Sequence, residues 1–246
     1  MKTIKCITKT RAFVLATSTL LLVQVFSCKK DSTPPPVPPV VTDQSFSTSF
    51  ENKDSLVNQG WVFTNLSDFP GQGWDFESET SWGAAPYDGS KLLDNNPFLA
   101  TEDPYDTLTG AAVISDWLIS PKLFLQNGDK ISFYTLSHGS IGYGAGGSYG
   151  DRLQLRLNVF NTSDSIGTAS SDVGHFTTPL LDINPLYKTT PSGDYPSTWT
   201  KYEATITGLN QPDSGRFALR YFLELSGGAH GDEIAVDKLE FTSAGH

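Results

Sequence analysis

Cysteine is nearly missing from this 246-residue chain, which holds only Cys6 and Cys28. Two thiols cannot build a disulfide-rich scaffold or a four-thiolate zinc site. Basic residues are short as well, with 17 Lys and Arg against 27 Asp and Glu and a formal net charge of −10. Such an excess of acid disfavours nucleic acid and anionic membrane surfaces as partners. Histidine is sparse, and His138, His175 and His230 stand apart in glycine-flanked polar settings with no zinc-like spacing. They read as surface or turn residues. No amphipathic helical run exceeds two turns, which excludes a helix bundle, and no Gly-rich loop opens a helix, which leaves nucleotide binding without support.

What the chain does have begins at its N-terminal end. Lys2, Lys5, Lys9 and Arg11 precede one apolar run, residues 12–26, in the order of a basic n-region and an h-region. The run falls short of the ~20 residues a membrane span needs, and it lacks the flanks of a stop-transfer helix. It ends at Val25-Phe26-Ser27-Cys28, which resembles the lipobox of bacterial lipoproteins, where the cysteine is diacylated and becomes the mature N-terminus. The resemblance implies a signal peptide over 1–27, lipidation at Cys28 and anchorage to the outer membrane of the bacterial envelope. Lys29-Lys30-Asp31 is similar to the export tags of Bacteroidetes lipoproteins, some of which reach the cell surface. Residues 28–44 contain Pro34-Pro35-Pro36-Val37-Pro38-Pro39. That composition predicts an extended stalk of roughly 40–50 Å at ~3.1 Å per residue. Loss of residues 1–27 removes four basic residues and Cys6, deepening the charge to −14 and leaving no thiol beside the lipidated one.

From Ser45 onward the pattern has period two. Leu153, Leu155, Leu157 and Val159 alternate with Arg152, Gln154, Arg156 and Asn158; Phe217, Leu219, Tyr221, Leu223 and Leu225 alternate with Ala218, Arg220, Phe222 and Glu224. Further strands are predicted over 44–50, 61–64, 74–77, 91–93, 117–119, 123–126, 130–136, 199–206 and 233–241, with Asn127-Gly128-Asp129 as a tight turn. The expectation is one all-β domain over 45–246, a jelly-roll β-sandwich of two antiparallel sheets.

The folded part also carries a family resemblance. Phe50-Glu51, Gly60-Trp61, the run Ile114 to Pro121, Leu125 to Phe133, Asp151 to Arg156, Phe176 to Leu181, Tyr195 to Tyr202 and Ile234 to Leu239 follow one another as in choice-of-anchor J domains. Those are extracellular jelly-roll modules similar to cleaved-adhesin and MAM-type domains. The resemblance implies a non-catalytic, adhesive module and no reaction. It also implies a structural Ca²⁺ held between an acid after the first strand and an acid in the last. Glu51 and Asp237 occupy those places, with Asp116 as a further oxygen ligand. Lys238 stands where the family often has a second acid. Alternation puts Asp237 on the face of Ala235, Leu239 and Phe241, directed toward the core, where a carboxylate needs a partner. Backbone N–H groups or a buried arginine would serve as well as calcium.

Three constellations point toward chemistry or binding. Asp75, Glu77 and Glu79 at period two would share one strand face, as acids do in jelly-roll β-glucanases, with Trp74 and Trp82 as sugar platforms. A solvated strand face accounts for the same spacing. Gly146-Gly147-Ser148-Tyr149-Gly150 matches a nucleophile elbow, but a strand follows Ser148 where a helix is required. Aromatic residues at expected loops, Trp82, Tyr87, Tyr105, Tyr143 and Tyr149, offer stacking faces with polar tips. The reading is a lipid-anchored envelope module that binds carbohydrate or another surface polymer without turnover. A glycoside hydrolase using Asp75, Glu77 and Glu79, and a structural or protein-interaction accessory, are the alternatives.

Overall fold

The computed structural model describes residues 42–68, 73–95, 112–137, 150–189, 195–224, 231 and 233–245. Cys28, Tyr105, His138, Tyr143, Ser148, Tyr149 and His230 lie outside the described residues. In chain order the elements are β1 (Phe46–Thr48), α1 (Lys53–Asn58), β2 (Val62–Asn65), β3 (Trp74–Glu77), α2 (Glu79–Trp82), β4 (Leu92–Asn95) and β5 (Ile114–Ile119). There follow β6 (Leu123–Leu125), β7 (Lys130–Ser137), β8 (Leu153–Asn158), β9 (Thr178–Ile183), β10 (Thr200–Thr205), β11 (Asp213–Leu223) and β12 (Ile234–Thr242). Among the described residues no helix is long and apolar enough to cross a membrane.

The strands form two sheets whose pairings are all antiparallel. The first has the order β10-β7-β12-β4-β3, with β1 also on β12; the second has the order β2-β5-β11-β8-β9, with β6 also on β11. This is the expected sandwich. The two longest strands, β11 and β12, are each flanked along one edge by a pair of short strands, β6 and β5 or β1 and β4. Their inner residues fill the space between the sheets. Phe217, Leu219, Tyr221 and Leu223 meet Ile234, Val236, Leu239 and Phe241, joined by Leu153, Leu155 and Leu157 from β8. Burying each such side chain contributes about 1.5–3 kcal/mol relative to exposure. Phe46, Trp61, Phe217 and Phe241 close one end by edge and stacked ring contacts at 5.7–6.1 Å.

Four departures from the sequence reading have local causes. The turn at Asn127-Gly128-Asp129 is present, but it carries the chain from β6 in one sheet to β7 in the other. Gln44, expected both as the end of the stalk and as the first residue of a strand, precedes β1 and is docked: its amide donates to the Phe124 carbonyl and accepts from the Phe124 N–H. The edge strand β9 was not anticipated, because Pro179 and a register shift opposite Leu155/Arg156 break its alternation. In β12 the register slips between Asp237 and Glu240, and Lys238 takes a left-handed conformation with φ 48°. The bulge reverses the facing, so Ile234, Val236, Leu239 and Phe241 point inward while Asp237 joins Ala235 on the outer face. Asp237 is fully buried, as expected, but not in the space between the sheets.

Candidate functional site

What buries Asp237 is the segment 83–91, which lies over the outer face of the first sheet. Across that face the register pairs Glu77 of β3 with Leu92 of β4, and Asp237 of β12 with Tyr134 of β7, which in turn pairs with Lys201 of β10. The segment starts where Gly83, at φ 85°, ends α2 by donating its N–H to the Glu79 carbonyl. It turns again at Gly89, whose φ is 73° and where a Cβ would overlap Glu51 Oε1. Only glycine satisfies both conditions at that position.

Two carboxylates from outside the segment hold its backbone. Asp237 accepts the N–H of Asp88 at 2.8 Å and that of Lys238 at 2.6 Å, with the Tyr87 N–H as a third donor. Glu51 accepts the Ser90 N–H and hydroxyl, both at 2.7 Å, and the Lys91 N–H at 3.2 Å. Asp88 itself accepts from Lys238 Nζ at 2.8 Å and from the Ser49 hydroxyl at 3.2 Å. Protonation follows this wiring. Burial pushes Asp237 up to about 6 against the pull of its N–H donors. Burial also works against ionised Glu51, but the Ser90 and Lys91 donors outweigh it and its pKa is lowered. The Lys238 ammonium lowers Asp88.

This anchorage presents an aromatic surface. Tyr87, 43% exposed, stacks on Tyr134 with ring centroids 3.6 Å apart and planes 16° from parallel. Trp199 stands edge-on to Tyr87 at 6.2 Å and donates its indole N–H to the Ala85 carbonyl. Hydrogen bonding to Tyr134 raises the Tyr87 hydroxyl above its ordinary pKa. Leu92, Leu136 and Ala235 form a small apolar floor against Ala84 and Trp199. Tyr134 and Trp199 escaped the sequence reading. The alternation of β7, with Ile131 and Phe133 inside, already assigned Tyr134 to the outer face.

The other expected sites are dispersed. Asp116 is on β5 of the second sheet, on the face that carries Ile114 and Leu118 into the core, with Oδ1 near Asn65 and Gly73. Asp237 and Glu51 turn their oxygens to N–H and hydroxyl donors, and among the described residues no group of three His, Cys, Asp or Glu could hold a metal ion. Glu51, Asp116 and Asp237 do not fit the calcium site that the resemblance implied. Asp75 and Glu77 share the outer face of β3, opposite Asp94 and Leu92, but Glu79 opens α2 and leaves the row. Trp74 is inside the core at 3% exposure, so it is no sugar platform. Trp82 ends α2. His175 is exposed, with Nδ1 3.0 Å from Asn161 Oδ1. A separate concavity of about 540 Å³ lies among α1, β2 and the start of β3, lined by Lys53, Val57, Phe63, Asn65 and Trp74.

Neither a protein-family model nor a curated protein matches the sequence. Solved structures do. The K1 cleaved adhesin domain of Lys-gingipain from Porphyromonas gingivalis W83 aligns with a TM-score of 0.51 and 20% identity, covering 82% of this chain and 99% of that one. The K3 cleaved adhesin domain of the same protein aligns at 0.50 and 16%, covering 82% and 100%. The likeness is one of fold: the β-sandwich of a cleaved adhesin domain.

Proposed function

We propose that this chain is a bacterial envelope lipoprotein whose sandwich domain captures a neutral glycan, or a similar surface polymer, and does not transform it. In this reading residues 1–27 are the signal peptide, Cys28 carries the lipid, and the proline-rich segment holds the domain off the outer membrane on its exposed side. The domain is then a module of the choice-of-anchor J kind, and the likeness to cleaved adhesin domains supports it. The observation that carries the binding reading is the Tyr87 ring, solvent-open and backed by Tyr134 and Trp199. A flat, pre-ordered ring stacks on the apolar face of a sugar at little cost in side-chain entropy. Net charge of −10 favours an uncharged polymer over an anionic one. Dispersal of Asp75, Glu77 and Glu79 over a strand and a helix supports capture without turnover, since paired glycosidase carboxylates must converge on one bond.

The test is a glycan array probed with the full chain purified in detergent. Retention of uncharged glycans is expected, weakened roughly 5- to 150-fold by Tyr87→Ala, the equivalent of about 1–3 kcal/mol for a lost aromatic anchor. Shorter products that accumulate with the wild type and vanish with Glu77→Gln would make the chain a hydrolase. Retention of no glycan would remove the sugar from the reading. Labelled fatty acid taken up by the wild type and not by Cys28→Ala checks the anchor.

A further inference from the structure

We infer that the hold on segment 83–91 is a metal-free clasp, in which the Lys238 ammonium takes the place of a bound cation and so positions the Tyr87 ring. The charge arrangement poses the problem that Lys238 answers. Asp88 lies close enough to Glu51 and Asp237 to disfavour the ionised form of both. Asp88 thus adds a third carboxylate at the short stretch of backbone that Glu51 and Asp237 hold, and a positive charge beside it relieves the repulsion. A bound cation could supply that charge, and so could a covalently tethered ammonium.

The geometry selects the ammonium. Lys238 Nζ is 2.8 Å from Asp88 Oδ2. The bulge makes this reach possible: with φ at 48°, Lys238 leaves the strand alternation and sends its side chain to the side where Asp237 meets Asp88. The same turn lets the Lys238 N–H close on Asp237 Oδ1. Both Asp237 oxygens thus face hydrogens: Oδ1 takes Lys238 N–H and Oδ2 takes Asp88 N–H. Glu51 is similar, with two N–H donors on Oε1 and the Ser90 hydroxyl on Oε2. A cation at Asp237 would have to displace donors on half-buried backbone, one at Glu51 would have to displace three donors at an exposed site, and either would meet the ammonium as a like charge. Lys238 acts as a positioning residue. It fixes Asp88, and Asp88 follows Tyr87 directly in the chain, so the ring plane against Tyr134 depends on a charge located 150 residues further along.

The clasp stands without the glycan reading; only its benefit for capture rests on that reading. Its test uses no sugar. Thermal unfolding of the full chain in detergent is expected to give the same midpoint in millimolar calcium and in excess EDTA. Hydrogen exchange followed by mass spectrometry is expected to show residues 83–91 exchanging at least several-fold faster in Lys238→Gln. β5 and β11 keep wild-type protection, and Lys238→Arg restores the segment. A merely structural lysine would not give rescue by charge with loss confined to one segment. A midpoint that rises with calcium or falls with EDTA in the wild type overturns the inference. So does exchange over 83–91 that is unchanged in Lys238→Gln, or that Lys238→Arg fails to restore. Tyr87→Ala retaining every glycan at wild-type strength would sink the binding reading and leave the clasp untouched.

Discussion

The outer faces of the two sheets are both covered by an irregular segment, and they hold their covers by opposite chemistry. On the first sheet, carboxylates reach out of the fold and grip N–H groups of the cover, as Asp237 and Glu51 do with residues 87–91. On the second sheet, guanidinium groups grip carbonyls. Arg220 donates to Ser170, Arg156 to Phe176 and Thr177, and Arg216 to Thr162. The apolar contribution differs too. Ile166 and Phe176 pack from the second cover onto Trp117, Ile119 and Ala218, and Arg220 lies over the Trp117 and Phe222 rings at 4.8 and 3.7 Å. The first cover puts Ala84 against the floor of Leu92, Leu136 and Ala235 and stacks the half-exposed Tyr87 ring on Tyr134, but sends no fully buried side chain onto its sheet. One face is cemented by burial and by guanidinium groups, although that same burial lowers the pKa of all three and brings Arg220 down to about 9. The other is held by groups that titrate and repel.

The largest test of this contrast is Phe176→Ala, which leaves a cavity against Trp117 and is expected to cost about 3–5 kcal/mol by urea denaturation. Should it cost no more than truncating a residue of the first cover, the two faces are not held differently. Next comes pH. Asp237 has a folded-state pKa raised to about 6, so the folded protein holds its proton more tightly than the unfolded chain does. Its contribution is fully present below an unfolded pKa of about 4 and is lost as pH rises through about 6. Relative to Asp237→Asn, the wild type should therefore gain on the order of 2–3 kcal/mol between pH 7 and pH 4. A stability difference that is flat over that window would show that Asp237 carries no titrating strain. Smallest is Glu51→Gln, which weakens charge-assisted bonds to Ser90 and Lys91 at a largely exposed site. About 1 kcal/mol is expected, shrinking in high salt. A loss that does not change with salt would assign the effect to packing instead of charge.

The fold was legible where a strand buries one face and keeps its period. Leu153 to Asn158 and Phe217 to Leu223 are examples, because each has a single inner row. Legibility failed where the period slips. A one-residue bulge at Lys238 sent Asp237 to the opposite face, and nothing in Ile234 to Phe241 as a string marks the slip. α1 is six residues long, too short for helical periodicity to register. At the candidate site, Tyr87 was identifiable as an aromatic residue among turn formers, but its companions were not. Tyr134 and Trp199 are assembled by strand register, and Asp88 meets Asp237 across 149 residues of sequence. Spacing along a chain does not encode such a meeting. The expectation singled out Glu51 and Asp237, and both hold segment 83–91, Asp237 through backbone N–H groups, the alternative to calcium that the sequence had left open. Charge count alone cannot distinguish an ammonium from a metal ion.

The docking of Gln44 has a mechanical consequence. Its side chain grips Phe124 in both directions, its N–H bonds Ser243, and immediately afterwards β1 zips onto the last strand at Phe241, Glu240 and Leu239. A tension applied at the N-terminal side of the domain would load this amide latch first and then β12 directly. The aromatic surface is rooted in the same strand through Asp237. Force between an N-terminal tether and a ligand held at Tyr87 would then enter the second sheet at β6 through the Gln44 latch and reach the aromatic surface along β12 of the first sheet.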